Sequence, residues 1–217
     1  MNVKLIAISK PYIEGVRTAE DLISYCARVS NPLNQLNVDT APKLLKYCIK
    51  HEHWSPFEHA SMTVEIKTSR AIAAQILRHR SFTFQEFSQR YSTACDIEPY
   101  EFRKPAEKNR QSSENVITEN EQGVFDIAEN AVKVAKEAYE QLLERGVARE
   151  CARMILPLTI QTTMYMTGSL RSFMHYISLR TKEDTQKEHR IIALQIQKIF
   201  VDQFPTIAEA LDWEHNI

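Results

Sequence analysis

The densest group of chemically useful side chains lies between Arg78 and Tyr91. This segment contains three arginines and one histidine, interleaved with three phenylalanines. Alternate side chains of an extended chain share a face, so Glu86, Ser88 and Arg90 are expected to point the same way. A carboxylate, a hydroxyl and a guanidinium together would form a polar surface for a ligand. A solvated strand without any ligand would carry the same alternation, so both interpretations stay open.

Further arginines interrupt apolar stretches later in the chain. Arg153 stands between the apolar residues Ala152 and Met154, and this setting predicts a buried side chain. The charge of a buried guanidinium must be compensated, either by a core carboxylate or by a ligand phosphate, whose geometry it matches. Arg171 and Arg180 follow the apolar periodicity of a helix, and a place on a solvated helix face is the alternative for each.

Three histidines between His51 and His59 raise the question of a metal site. Their spacing does not follow the HExxH pattern, and the chain has no CxxC pair, so we expect no metal. Trp54, which lies among them, suits a turn that stacks on a planar ring. A metal hydrolase built on His51, His53 and His59 is therefore the weaker alternative.

The composition excludes several classes of function. A hydrophobic fraction of 43% and a charged fraction of 25% are ordinary for a globular protein with a substantial core. The formal net charge of -1 gives no overall attraction to nucleic acid, although the arginines and phenylalanines around Phe82 could stack bases. A nucleic-acid-binding module is thus the main alternative.

The four glycines are too scattered for a GxGxxG or Walker A loop, so side chains and helix ends must hold any nucleotide phosphates.

The sequence also bears on location and partners. No apolar stretch approaches the length of a membrane span, and no secretory signal is recognisable. The four cysteines form no close pair, and none has the surroundings of a nucleophile. We therefore expect a cytoplasmic protein that has no membrane and no nucleic acid among its partners.

Helical periodicity dominates the chain. A capping box at Thr18–Asp21 predicts a helix that ends before Asn31, and Pro42 is expected to open a second helix. Another capping box, at Thr118–Glu121, should begin the longest helix, which Gly146 ends. Further helices are expected over Ala71–Leu77, Arg149–Ile155, Ser169–Leu179 and Glu188–Phe204.

Two strands and a loop complete the expected elements. The apolar run Leu5–Ile8 predicts a buried strand, and the alternation of Met62, Val64 and Ile66 with polar residues predicts a half-buried one. The polar segment Ala94–Ser113 predicts a mobile surface loop. The fold class is therefore α+β with helices dominating. Since no shift of composition divides the chain, residues 1–217 are expected to form a single domain.

Three separate segments together resemble the flavin-dependent thymidylate synthase family. The family signature, Arg-His-Arg followed by a spacer, a serine and an arginine, is similar to Arg78–Arg80 with Ser88 and Arg90. His53–His59 and the stretch from Arg153 to Arg180 are also similar to family segments. The chain departs mildly from the family pattern at Thr83, Gln85 and Ser169.

The resemblance implies a mixed α/β sheet with long helices, assembled as a homotetramer whose active sites lie between subunits. Such enzymes are methyltransferases that convert dUMP to dTMP, with methylenetetrahydrofolate as carbon donor and NADPH as reductant through FAD. Arg180 is the implied catalytic residue, which stabilises negative charge on the uracil ring. Ser88 is expected to donate a hydrogen bond to phosphate, because the sequence offers no obvious base to activate it as a nucleophile.

Matching positions also assign the binding residues. The dUMP site would contain Gln75, Ile76, Leu77, Arg78, Glu86, Phe87, Ser88, Gln89, Arg90, Arg153 and Arg180. The FAD site would contain Ser30, His53, Ser55, Arg78, His79, Arg80, Glu86, Ser169, Leu170, Arg171 and His175. All these ligands are anions, so a protein of nearly neutral charge must gather its arginines locally to bind them.

Overall fold

The fold is a mixture of helices and strands, seen in a computed structural model that describes residues 1–91, 95–109, 112–118 and 123–213. The helices are α1 (Ala19–Ala27), α2 (Ala41–Lys50), α3 (Arg70–Ile76), α4 (Val124–Glu144), α5 (Arg149–Ala152), α6 (Leu170–Arg180), α7 (Lys187–Gln203) and α8 (Pro205–Ala210). The strands are β1 (Asn2–Ile8), β2 (Ser61–Ser69), β3 (Thr83–Glu86), β4 (Arg103–Pro105), β5 (Ser113–Val116) and β6 (Gln161–Ser169). The α+β class expected from the sequence is thus confirmed.

Local signals explain most helix ends. The capping box before α1 is present, since Thr18 Oγ1 accepts from the Asp21 N–H and Asp21 Oδ2 accepts from the Thr18 N–H, both at 3.0 Å. Pro42 lies in the first turn of α2, as predicted. Gly146 follows α4 with a φ of 83°, a conformation that suits glycine at a helix end. The capping box predicted at 118–121 falls largely outside the described residues.

The strands form two sheets. The larger sheet has the order β1-β2-β6-β3, and β4 pairs with β5 in an antiparallel two-stranded sheet. The segment predicted as a loop over 94–113 therefore contains β4 and the first residue of β5, and that prediction was wrong for its described part. Arg103 pairs with Val116 and Pro105 with Ser113 across a β-bulge, an irregular register that leaves little period-two pattern in the sequence.

Two predictions about strands were incomplete. β1 forms as expected, but Ile6 and Ile8 are 49% and 39% exposed, so the run is not buried in the single chain. α7 packs on β1, and Val3 of β1 is buried. Side chains at even positions of the strand, such as Ile6 and Ile8, point to the opposite face. β6 was not predicted, although Met164 and Met166 lie buried in period-two register within it.

The chain forms two compact units, each made of separate segments. Unit 1 comprises Met1, Lys67–Ile76 and Glu86–Met164; unit 2 comprises Asn2–Ile66, Leu77–Gln85 and Tyr165–Ile217. In unit 2, α6 packs on α7 and α2 packs on α8 around a dense core that includes Phe173 and Phe200. In unit 1, α4 contacts α5 and buries Tyr139. The expectation of one domain over residues 1–217 stays a prediction.

Within the described residues, no helix combines the length and the apolar character needed to cross a bilayer.

Candidate functional site

Helix α6 presents a row of polar side chains on one face of unit 2. Arg171, His175 and Ser178 are spaced by four and three residues, so they lie along the same side of the helix. Ser169 is the N-cap of α6, and its Oγ accepts from the Ser172 N–H at 3.3 Å. Leu170, by contrast, is fully buried, and its N–H donates to the Ala60 carbonyl at 2.9 Å.

This face of α6 borders a cleft of about 510 Å³. Four separate parts of unit 2 meet there: the turn that follows α2, the segment after Arg80, α6 itself and the end of α8. The lining residues are Trp54, Glu58, Ser81, Arg171, Ser172, Met174, His175, Ser178 and Leu211. A cation, several hydroxyls and an indole ring therefore share one concave surface, which is the character of a site for an anionic, partly aromatic ligand.

The other predicted flavin residues of unit 2 are mostly at the surface. Ser30, His53 and Ser55 are exposed, and Ser55 begins a short 3-10 helix over Ser55–Glu58. Arg171 forms an ion pair with Glu58, and both side chains are about half exposed. Water screens such a pair, so Arg171 can exchange Glu58 for a ligand anion at little cost.

Arg180, at the last turn of α6, forms a defined contact with the Arg-His-Arg segment. Its Nε–H donates to Nε2 of His79 at 2.9 Å. Burial, with the charges of Arg180, His175 and Arg78, lowers the pKa of His79 to about 4. His79 is therefore neutral at neutral pH, and its Nε2 lone pair can accept from a permanent cation. The flanking residues Arg78 and Arg80 are exposed, as is Leu77.

Glu86, predicted in both sites, is already partnered within unit 1. Its Oε1 accepts from Arg70 Nη1 at 3.3 Å and from Thr162 Oγ1 at 2.9 Å. Arg70 Nη2 also donates to the Phe87 carbonyl at 3.0 Å. Sequence reasoning missed Arg70 and Thr162, because neither belongs to a motif and only the pairing of distant segments brings them to Glu86.

The chain does not stay extended from Glu86 to Arg90, as the sequence had suggested. β3 ends at Glu86, and a turn follows in which the Arg90 N–H donates to Ser88 Oγ at 3.3 Å and the Tyr91 N–H donates to the Ser88 carbonyl at 3.2 Å. The serine side chain caps this turn, a local bond that competes with strand pairing. Gln89 is buried and Phe87 is 37% exposed.

A shallow pocket of about 280 Å³ in unit 1 brings two arginines together. It is lined by Arg90, Tyr91, Ala148, Arg149 and Glu150. Arg149 Nη1 donates to the Tyr91 carbonyl at 3.2 Å, and Arg90 Nε lies 3.5 Å from Glu150 Oε2. Arg149 was not selected from the sequence. It precedes Arg153 by four residues, and in a helix this spacing places two side chains on the same side, so the signal was available.

Arg153 is not the buried cation that its neighbours suggested. It begins a short 3-10 helix over Arg153–Ile155 and is half-buried, while Met154 is 78% exposed and Ile155 is 41% exposed. Its Nε donates to the Glu150 carbonyl at 3.4 Å. The apolar flanks therefore form part of the single-chain surface, so an apolar run did not imply burial here.

The remaining residues that were predicted to bind dUMP lie in or beside α3. Gln75 is half-buried, and Ile76 is fully buried in the core, so only the backbone of Ile76 could reach a ligand.

The folded chain bears on the two alternative functions, a nucleic-acid-binding module and a metal hydrolase. Phe82 is only 9% exposed, and its ring meets the Phe173 ring edge-on at 4.9 Å, so it belongs to the core and is not a surface platform for bases. Among the described residues, no group of three or more His, Cys, Asp or Glu side chains is arranged to hold a metal ion.

Known proteins resemble this chain over almost its whole length. The family described as thymidylate synthase complementing protein matches residues 13–206. The probable flavin-dependent thymidylate synthase of Paramecium bursaria Chlorella virus 1 is 53% identical, over 98% of this chain and 100% of the relative. The flavin-dependent thymidylate synthase of Synechocystis sp. is 52% identical, with the same two coverages. The crystal structure of PolB from Streptomyces cacaoi, a UMP/dUMP methylase bound with 5-Br dUMP, superposes with a TM-score of 0.83 at 28% identity, covering 97% of this chain and 94% of that one.

Proposed function

Because this chain belongs to the flavin-dependent thymidylate synthase family, we propose that it converts dUMP to dTMP with FAD as cofactor, methylenetetrahydrofolate as carbon donor and NADPH as reductant. One observation carries the proposal. Three family-like segments that are distant in sequence meet in the cleft of unit 2, through Trp54, Ser81 and Arg171. A cytoplasmic location and a homotetramer with shared sites stay predictions from the sequence. The exposed Ile6 and Ile8 of β1 are consistent with a face covered by another subunit.

The residues of the cleft fit a flavin nucleotide. Trp54 offers an aromatic face, Arg171 a cation for a pyrophosphate, and the Ser172 and Ser178 hydroxyls further donors. The flavin, when bound, supplies the hydride chemistry that side chains cannot perform. Besides the residues of the cleft, we assign to this site the sequence-predicted residues of unit 2, which are Ser30, His53, Ser55, Arg78, His79, Arg80, Ser169 and Leu170. Glu86 of unit 1 stays a sequence prediction for FAD binding.

The phosphate of dUMP needs cations and neutral donors outside this cleft. We assign it to Ser88, Arg90 and Arg153 of unit 1, and we add Arg149, because it lines the same pocket as Arg90. Glu150 already lies near Arg90, so a phosphate would have to replace a weak, exposed ion pair. The remaining residues expected to bind dUMP stay sequence predictions: Gln75, Ile76, Leu77, Arg78, Glu86, Phe87 and Gln89.

Arg180 is the residue to which we assign the chemistry of the uracil ring. Its Nε–H is engaged by His79, which leaves the terminal guanidinium nitrogens for O4 or N3 of the ring. These donors would stabilise negative charge on O4 in the enolate-like form of the ring, in which the ring carbon is nucleophilic enough to attack the methylene donor. This role is electrostatic, so it needs no proton transfer to or from Arg180.

The test is product formation by the purified protein. We expect a yellow protein that releases FAD on denaturation and forms dTMP only when dUMP, methylenetetrahydrofolate and NADPH are all present. UMP should be offered in parallel, since PolB is a UMP/dUMP methylase. A protein that binds FAD but forms no methylated nucleotide from dUMP would refute the proposal.

A further inference from the structure

A buried polar pair lies behind the contact between Arg180 and His79. Tyr176 of α6 and His189 of α7 are both fully buried, and the Tyr176 hydroxyl and His189 Nε2 are 3.0 Å apart. Packing alone would be satisfied by phenylalanine at position 176, since the hydroxyl adds no apolar contact. A buried hydroxyl costs free energy unless it is bonded, so this pair is a specific arrangement that two helices must hold in register.

The pair is continuous with His79. The Tyr176 and His79 rings meet edge-on, with centroids 4.9 Å apart and planes at 77°, and the His189 and His79 centroids are 6.1 Å apart. Tyr176 also precedes Arg180 by four residues on α6, so the two side chains share a face of that helix. His79 is thus held between the buried pair and the guanidinium.

We propose that Tyr176 and His189 are positioning residues that fix the His79 imidazole and, through it, the guanidinium of Arg180. The inference rests on the proposed function, in which Arg180 contacts the uracil ring. The hydroxyl bond anchors the far end of the Tyr176 ring, so the ring cannot slide against His79. His79 then keeps its Nε2 lone pair directed at Arg180 Nε, and the guanidinium needs no reorientation when charge develops on the substrate.

The protonation states agree with this arrangement. Burial first and the charge of Arg180 second lower the pKa of both His79 and His189 to about 4. Both rings are therefore neutral at neutral pH, so each has one nitrogen that donates and one that accepts. Because His79 accepts through Nε2, its proton must be on Nδ1.

The experiment compares Tyr176→Phe, His189→Leu and the double variant in the FAD-loaded protein. Each single variant should lower kcat for dTMP formation by about two- to tenfold, the effect of one neutral hydrogen bond, with KM for dUMP and bound FAD nearly unchanged. The double variant should lose less than the sum of the two single losses, because both single variants remove the same hydrogen bond. His189→Gln should recover part of the rate lost in His189→Leu, since an amide can bond the Tyr176 hydroxyl.

Tyr139→Phe is the matched control. It also removes one hydroxyl from a buried tyrosine, but that hydroxyl has no hydrogen-bond partner among the described residues and lies in unit 1. We expect its kcat to stay within about twofold of the wild type, as for a change that breaks no bond. Equal losses of kcat in Tyr139→Phe and Tyr176→Phe, or additive losses in the double variant, would overturn the positioning role.

A second measurement does not depend on turnover. Labelling of histidine with 15N and NMR should show His79, identified by its absence in His79→Gln, as a neutral ring protonated on Nδ1 in the wild type. In Tyr176→Phe and His189→Leu, its signals should move toward a mixture of tautomers. Unchanged signals would reject the inference even if dTMP is formed. If the wild type forms no dTMP, the proposed function fails, and the changed signals alone would still support the fixed ring.

Discussion

Gly168 and Phe82 approach each other so closely that a methyl group on Gly168 would lie 2.5 Å from Cδ1 of the Phe82 ring. Gly168 belongs to β6, and Phe82 follows the Arg-His-Arg segment directly after Ser81. The Phe82 ring cannot easily retreat, because it is buried and packs edge-on against Phe173 at 4.9 Å. The absence of a side chain at position 168 therefore allows the segment from Arg78 to Phe82 to reach its position beside α6.

Gly168→Ala should consequently destabilise the protein by about 1–3 kcal/mol, the usual effect of overpacking a core. The measurement is the free energy of unfolding in urea. Combining the change with Phe82→Leu should recover part of the loss, because the smaller side chain vacates the space that the new methyl needs. Gly123→Ala is not a suitable control, since Gly123 has a φ of 89°. If Gly168→Ala lowered the free energy of unfolding as much in the Phe82→Leu background as in the wild type, the steric explanation would be contradicted.

Arg180→Ala should reduce kcat by about two to three orders of magnitude, the scale for losing one preorganised donor to a developing oxyanion. The FAD content and the free energy of unfolding should change little, because Arg180 forms its described hydrogen bond with a side chain and not with the backbone. Arg145→Ala, an exposed arginine at the end of α4, serves as the control. Turnover by Arg180→Ala within a few-fold of the wild type would remove Arg180 from the chemistry.

Features of the fold that depend on a single residue and its immediate neighbours could be predicted from the sequence. Thr18 and Pro42 marked helix starts correctly, since capping and proline chemistry act within a single turn. Burial was less predictable, and Arg153 shows why. Its apolar neighbours suggested a core, yet Met154 is 78% exposed, because burial depends on which distant element covers a segment.

The same distinction applies to the candidate site, where some residues belong to motifs and others are brought together only by packing. His79 and Arg180 were selected through the family resemblance of their segments, and they meet in the structure at 2.9 Å. Tyr176 and His189 could not be selected, because a tyrosine and a histidine on two helices carry no motif and only the packing of α6 on α7 joins them. Sequence reasoning finds the groups that contact ligands more readily than the groups that hold them in place.

Acid should weaken the fold through the two buried imidazoles. The pKa of His79 and of His189 is about 4 in the folded chain, against about 6.5 in the unfolded chain. Between these values the unfolded chain binds more protons, so the free energy of unfolding should fall as the pH falls from about 6.5 to about 4. Above that window, the contribution of the two neutral rings is fully present.

Urea unfolding across this pH range checks the prediction, with His189→Gln as the comparison. That variant should show a shallower loss of stability, because it lacks one of the two groups. The comparison is needed because burial raises the pKa of Glu20, and protonation of that carboxyl in the folded chain acts in the opposite direction. An identical pH dependence in wild type and His189→Gln would show that His189 is not responsible.

Arg153→Lys should separate phosphate binding from stability. Since Arg153 is half-buried with exposed neighbours, the free energy of unfolding should change by less than about 0.5 kcal/mol. dUMP binding should weaken by about 1–3 kcal/mol, because lysine keeps the charge but loses the two-pronged guanidinium. Titrations with dUMP and FAD measure the two affinities. Unchanged dUMP affinity together with a lower unfolding free energy would make Arg153 a structural residue.

Arg149→Gln tests the arginine that the sequence did not single out. Arg149 shares a pocket with Arg90 and holds the Tyr91 carbonyl at 3.2 Å, so its charge lies where we place the phosphate of dUMP. Because Arg149 is exposed, water and salt screen its attraction, and we expect a loss of only about 1 kcal/mol in dUMP binding. The loss should shrink as salt is added.

Deoxyuridine, which lacks the phosphate, provides the decisive comparison for Arg149. Its affinity should be the same in the wild type and in Arg149→Gln, whereas dUMP should bind the variant more weakly. Arg145→Gln removes an equal charge near the end of α4 and should leave both affinities unchanged, which accounts for any general electrostatic effect. Equal weakening of dUMP and deoxyuridine in Arg149→Gln would mean that the substitution disturbs the turn at Tyr91, and the phosphate would then belong to Arg90 and Arg153 without Arg149.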